Sequence, residues 1–340
     1  MAGAVNPIPI RTALVLAAAL CAVVARAQDA DWKTFKQAFF EDGRIVDTGQ
    51  GRITHSEAQG YGMVLAVHHG DRAAFDQLWQ WTQKNLQVRD DKLMAWKWEP
   101  QKRAATDKNN AADGDLLIAW ALVRAGGKWQ CADCTAAGQA IAQDVRKKLL
   151  KRVPHGLVLL PGIEGFDKPD AAVVNLSYWV FPAIRDLARA DPAPEWEELA
   201  ATGVALLGYS YFGRWALPPD WLRLGEKVAP ADNERFGYDA VRIPVYLIWG
   251  RKDTPALLKS YRDFWGNFTG ARWVPSFTNL KDDSVDSRDA EAGIRAIAQL
   301  VAEHPNAKAS RLPALDARQS YYQAVLLLLC KMALAERGSG

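Results

Sequence analysis

Thr54-His55-Ser56-Glu57-Ala58-Gln59-Gly60-Tyr61-Gly62-Met63 opens the stretch whose reading decides the fold. It runs directly into Met63-Val64-Leu65-Ala66-Val67, and Ser56 to His69 reads as one helix. After only Gly70-Asp71 comes a second helical pattern, Arg72 to Leu86, with Phe75, Leu78, Trp79, Trp81 and Leu86 at apolar spacing. Two helices across so short a break form a hairpin. Glu57 stands at its mouth, where a carboxylate is first of all a capping group for orphan N–H donors; Thr54 or Ser56 could cap as well. The small residues nearby leave room for another molecule to approach the backbone.

The same pattern recurs outward from this hairpin. A short helix is expected over Asp31 to Phe40, and others over Ala111 to Ala125 (ended by Gly126-Gly127), Ala136 to Arg152, Val173 to Ala190 and Pro194 to Tyr211. Tyr238 to Trp249, Pro255 to Trp265, Ala290 to Glu303 and Ala314 to Ala335 complete the series. Extended signals are few and short: Arg44 to Thr48, Leu93 to Glu99, and Leu157 to Phe166. Neither a parallel α/β pattern nor a sandwich is present. An all-α domain of stacked antiparallel hairpins follows, open as a solenoid or closed as a toroid. The absence of a fixed-period repeat argues against the open form.

Residues 1–27 read as a signal peptide: Arg11, an apolar core from Thr12 to Val24, and Ala25-Arg26-Ala27 as cleavage site. The apolar run is shorter than the roughly 20 residues of a membrane span. Residues 28–340 are expected to form one exported domain, in the periplasm or the medium. Without Arg11 and Arg26 the chain carries 40 basic against 39 acidic side chains, which excludes an electrostatic footprint for nucleic acid or anionic lipid. Cys131-Ala132-Asp133-Cys134 suits a local disulfide, because no second CxxC or HxxxH completes a zinc site; Cys330 reads as a buried thiol. No cofactor or metal is expected.

Three constellations each put a carboxylate at a helix start: Glu57 with His55, Ser56, Gln59 and Tyr61; Asp113-Gly114-Asp115; and Asp239 with Arg242 at i and i+3. In a barrel of hairpins alternate helix N-termini gather on one face, where three carboxylates make a site rather than three caps. Asp-x-Asp also suggests a nucleotide-sugar transferase, but that motif normally follows a strand of an α/β fold, and here it opens a helix. The scattered histidines and the lack of a Gly-x-Ser-x-Gly elbow leave a serine or cysteine nucleophile without support. Fourteen tryptophans are the other signal. Trp79, Trp120 and Trp249 sit in apolar runs and read as core. Trp96, Trp98, Trp215, Trp221 and Trp273 flank Pro, Gly or charge, and are either packing or platforms for the apolar face of a sugar. Two carboxylates flanking a sugar linkage, one protonated and one ionised, explain both signals. With a water between base and sugar the reaction inverts, at a carboxyl separation of about 6.5–9.5 Å.

In Ser56–Met63, Trp96-Lys97-Trp98, Ala112-Asp113-Gly114-Asp115 with Ile118-Ala119 and Trp129, Asn175-Leu176-Ser177-Tyr178 and Tyr238–Pro244, the chain resembles glycoside hydrolase family 8. The likeness runs from about Trp32 to about Trp265, and within the family it is to the periplasmic endoglucanases encoded with bacterial cellulose synthase. It implies an (α/α)6 barrel with a long cleft and an inverting, endo-acting hydrolase of β-1,4-glucan. Glu57 would be the general acid and Asp239 the general base, with Arg242 and Tyr178 holding the base and its water. Asp113 would bind and distort the sugar, and Trp96, Trp98, Tyr61 and Gln59 would contribute to the subsites. The family prefers Ser or Thr at Ala112 and often Pro at Leu176; both departures spare the carboxylates. The partner implied is a glucan chain, with the cellulose synthase complex as a second, and the protein is expected to be a monomer. Chitosan or xylan as substrate, or a non-catalytic glucan-binding toroid, are the alternatives.

Overall fold

The computed structural model describes residues 29–231, 233–268 and 273–338. The signal-peptide reading falls outside them. Eleven α-helices are present among the described residues: α1 (29–39), α2 (Ser56–His69), α3 (Arg72–Asn85), α4 (Ala112–Trp129), α5 (Ala132–Leu149), α6 (Phe181–Ala190), α7 (Pro194–Leu207), α8 (Ile243–Trp249), α9 (Pro255–Gly266), α10 (Ala292–Glu303) and α11 (Tyr321–Arg337). They form the (α/α)6 barrel. Helices α2, α4, α8 and α11 are buried on nearly every side, which their sequences permit because apolar residues run all round them. Helices α3, α5 and α10 bury one stripe and face water with the other, as outer helices do. Helix α2 packs on α4, α4 on α6, α6 on α8 and α8 on α11. The ring closes where α11 returns to α1, with Phe35 and Phe39 on Tyr321 and the buried Lys331–Asp31 ion pair.

Close approach of α2 and α4 depends on glycine. A Cβ on Gly60 would lie 2.5 Å from Leu117 Cβ, and one on Gly114 would lie 2.2 Å from Ser56 Oγ. The small residues of this stretch thus admit a neighbouring helix, not a ligand as the sequence suggested.

The buried helices run the same way. Their N-termini meet at one end, where Glu57, Asp113 and Arg242 are in contact. Their C-termini meet at the other on Glu336: Oε1 accepts from Arg124 at 2.5 Å and faces His68 at 3.2 Å, and Oε2 accepts from Trp249 Nε1 at 2.8 Å. One carboxylate therefore ties α2, α4, α8 and α11. Burial pushes its pKa up, but His68, Arg124 and Trp249 outweigh that and hold it at about 2.

Several local expectations change. Helix α4 runs through Gly126-Gly127 to Trp129, with Gln130 in the left-handed conformation as its stop. Val173 to Ala190 is not one helix: it divides into a strand (Ala171–Val174), a 3₁₀ turn (Leu176–Tyr178) and α6, because Asn175 Oδ1 takes the Ser177 N–H into a local turn. Tyr238 to Trp249 is likewise a 3₁₀ turn (Ala240–Arg242) followed by α8. Helix α11 begins at Tyr321, not Ala314. Among the described residues the strands are short and lie in five small sheets, of which Thr54–His55, Lys97–Glu99 and Ala104–Asp107 form one beside α2. Cys131 and Cys134 form a disulfide at the start of α5, and Cys330 is a buried thiol, as expected.

Candidate active site

Helix α2 is capped neither by Glu57 nor by Thr54 or Ser56. His55 is the N-cap, its Nδ1 accepting from Ala58 N at 3.1 Å while Nε2 lies 3.3 Å from Asp47 Oδ2. An acceptor at Nδ1 places the proton of the neutral ring on Nε2, toward Asp47. Although burial opposes it, the His55 contact, with Gly49 and Gln50, holds Asp47 below the usual carboxylate range. With the cap filled by His55, the Glu57 carboxylate bonds no N–H of its own helix. Oε1 accepts from Tyr61 at 3.2 Å and from Arg242. Oε2 lies 3.8 Å from His55 Nδ1, which is an acceptor, so no donor of the described residues engages it.

Asp113 lies in the first turn of α4 and is almost fully buried; Oδ1 accepts from Gly114 N at 2.8 Å. Burial raises its pKa to about 7, against that N–H and His55. Asp115 also rises to about 7 through burial, but its work is structural: it accepts from Met94 N and Asn110 Nδ2, both at 2.8 Å, and ties the 93–110 segment to α4. Asp239 precedes the 3₁₀ turn and does not cap it. Its pKa rises to about 7 through burial first, then Asp220 and Asp113, with Asn175 and Arg235 opposing.

Arg242 joins the three constellations. Its guanidinium donates to Glu57, to Tyr61 at 3.3 Å, to Ser177 Oγ at 2.8 Å and to Asp239 Oδ1 at 2.8 Å, and lies 3.9 Å from Asp113 Oδ2. Three carboxylates from three inner-helix starts thus share one buried cation, a planar fork suited to several acceptors at once. Beneath them Tyr61 and Tyr246 share a hydrogen bond of 2.6 Å.

The carboxylates open on a cleft. Its larger part, about 680 Å³, passes from Glu57 and Asp239 toward Arg288, Glu291 and Tyr322; its smaller part, about 120 Å³, lies among Glu57, Asp113, Trp96 and Tyr178. Trp96 and Tyr178, expected in a subsite and beside the base respectively, both line this smaller part. Burial, then Asp113 and Asp239, push the Tyr178 hydroxyl far above its ordinary pKa. Tyr61 lies under the site, 2% exposed, and reaches it only through Glu57 and Arg242. Gln59 is not at the substrate: fully buried, it accepts from Ile45 N at 2.7 Å and donates to Thr82 Oγ1 at 2.8 Å. Trp98, expected in a subsite, is buried edge-on against Trp81 under the Arg44 guanidinium. Trp215 packs on Phe264 and Phe268, and Trp273 on Phe268, while Trp221 stacks on Phe166 beside Tyr178.

Sequence reasoning missed Asp220, Ser177, Tyr246 and the wall supplied by Tyr321 and Tyr322, which lies beyond Trp265. The Ser177 signal was present in Asn175-Leu176-Ser177-Tyr178; a lone Asp220 in a Pro- and Trp-rich loop carries none.

A barrel whose inner-helix starts gather carboxylates in an open cleft defines a class of enzyme acting on glycosidic bonds. The family described as "Glycosyl hydrolases family 8" matches residues 7–336, and the chain belongs to it. A "Probable endoglucanase" from Novacetimonas hansenii is 38% identical over 312 residues, covering 90% of each chain. The solved endo-beta-1,4-glucanase CMCax from Acetobacter xylinum superposes with a TM-score of 0.85 at 38% identity, covering 93% of this chain and 98% of that one. Endoglucanase Cel10 from Klebsiella pneumoniae, a family 8 glycosyl hydrolase, gives 0.85 at 35% identity, over 90% and 99%.

Proposed function

We propose that the protein is an endo-acting β-1,4-glucanase of inverting stereochemistry, exported to the periplasm or medium and working beside bacterial cellulose synthesis. Convergence of Glu57, Asp113 and Asp239 on Arg242 inside one open cleft is the observation that carries this reading. The endoglucanase names of its relatives, over most of both chains, support the glucan substrate.

Glu57 is the general acid. Its Oε1 is held by Arg242 and Tyr61, so the proton resides on Oε2, the oxygen without a donor, and passes from there to the leaving glycosidic oxygen. Asp239 is the base: it takes a proton from a water whose oxygen bonds the anomeric carbon as the C–O bond to the leaving sugar breaks. Asp113 and Tyr178 hold the sugar on the Trp96 side, and the other product leaves past Arg288 and Tyr322.

Incubation with carboxymethylcellulose should release new reducing ends, and a Glu57→Gln variant as active as wild type would refute the assignment. Proton NMR of early product should show the α-anomer; an initial β-anomer would exclude inversion.

A further inference from the structure

The carboxylate that heads the 3₁₀ turn does not bond the turn's free N–H groups, although its position is the usual one for doing so. Another residue does. Asp220, buried in the loop before Leu222–Leu224, directs Oδ1 at three backbone donors: Gly237 N at 2.9 Å, Asp239 N at 3.0 Å and Ala240 N at 2.9 Å. Its Oδ2 accepts from Arg235 Nε at 2.9 Å, and its own N–H donates to Arg235 O at 2.6 Å. The cradle has no spare volume, since a Cβ on Gly237 would lie 2.6 Å from Arg235 Nε and 3.0 Å from Asp220 Oδ2.

We propose that Asp220 is the positioning residue of the catalytic base: by capping the turn in place of Asp239, it frees that carboxylate for Arg242 and the attacking water. This rests on Asp239 being the base. A side chain bonded to its own N–H groups would point back along the turn. With those donors taken, Asp239 Oδ1 sits 2.8 Å from Arg242. Asp220 also acts through charge. The groups facing Asp239 are Arg242 on its own turn, Arg235 beside it, Asp113 from α4, Asn175 and Tyr178 from the loop before α6, Tyr322 from α11, and Asp220. Burial is the first cause of the raised Asp239 pKa and Asp220 the second.

The test compares Asp220→Asn, Asp220→Ala and Asp239→Asn on cellohexaose, a neutral substrate with no titration of its own. Asn keeps the Oδ1 acceptor for the three turn N–H groups but loses the charge and the acceptor facing Arg235 Nε, so KM should stay near wild type while the melting temperature falls. The acidic limb of its kcat/KM profile, which reports the base of the free enzyme, should move to lower pH by about one unit. Ala removes the acceptor as well, and kcat should fall about 100-fold with KM within about threefold. An Asp220→Asn limb that coincides with wild type overturns the proposal, as does Asp220→Ala with kcat within about threefold of wild type. Should the Ala variant not fold, the Asn limb alone decides. If Asp239→Asn keeps full activity, the base assignment itself fails. If it is inactive while the Asp220→Asn limb does not move, only the role of Asp220 falls.

Discussion

Replacing Arg242 by Lys tests the site most directly. The guanidinium serves Glu57 and Asp239 with two different nitrogens and adds Tyr61 and Ser177, at 4% side-chain exposure. An ammonium is a point donor and cannot reach both carboxylates. Each charge-assisted hydrogen bond lost in a buried site costs about 1.5–3 kcal/mol. If Lys retains one carboxylate and releases the other, about 3 kcal/mol of oriented interaction is lost, or about 100-fold in kcat. The retained positive charge should keep the three carboxylates from repelling one another, so the fold should survive. The assay is kcat and KM on a soluble β-glucan at the pH optimum, with circular dichroism and a melting curve as controls. A folded Arg242→Lys enzyme within about threefold of wild-type kcat would refute the view that one planar cation holds acid and base together.

Three further outcomes are expected. Glu336→Gln should lower the unfolding free energy by about 2–3 kcal/mol at pH 7, the order implied by a carboxyl pKa held at about 2 in the fold. Because that pKa is depressed, the wild-type advantage should be full above about pH 4.5 and vanish as pH falls toward 2; equal urea midpoints at pH 7 would contradict this. Asp115 behaves oppositely, since its pKa is raised to about 7. Relative to Asp115→Asn, wild-type stability should decline as pH rises from about 4 to about 7, and a rise across that window in paired urea titrations would be the wrong sign. Trp96→Ala should raise KM about tenfold with a normal melting temperature, whereas Trp98→Ala should leave KM nearly unchanged and cost about 3 kcal/mol of stability. The reverse pattern would exchange their roles.

The barrel was readable because its signal is local. Ser56 to His69 is the observed helix to the residue, and the two-residue break after it is a true hairpin. The errors arose where one side chain redirects the backbone, as Asn175 does before Ser177, or where a helix continues through glycine, as α4 does at Gly126, against which Thr135 packs. Glu57, Asp113, Asp239 and Arg242 stood out in the sequence because each lies at or just before a helical start, and the ring brings those starts together. Gln59 and Trp98 were misread for a complementary reason. Each lies two residues from a cleft residue, but the helix turns Gln59 away from Glu57, and Trp98 is buried within the strand Lys97–Glu99 while Trp96 precedes that strand in a bend and faces the cleft. Nothing local distinguishes Asp220, whose partners are the Arg235 side chain and backbone groups 15 to 20 residues away.

The knot of Arg124, His68, Trp249 and Glu336 lies at the pole opposite the cleft. A ring fastened from below leaves part of its upper rim free to vary. The exposed stretches 101–108 and 163–170 can be lengthened or exchanged without disturbing the carboxylate that clamps four inner helices, whereas Met94, Trp98 and Asp220 fasten the rest of the rim to the barrel. Grafting one such exposed stretch from a relative with a different polysaccharide should change what is cleaved while the melting temperature stays that of the parent.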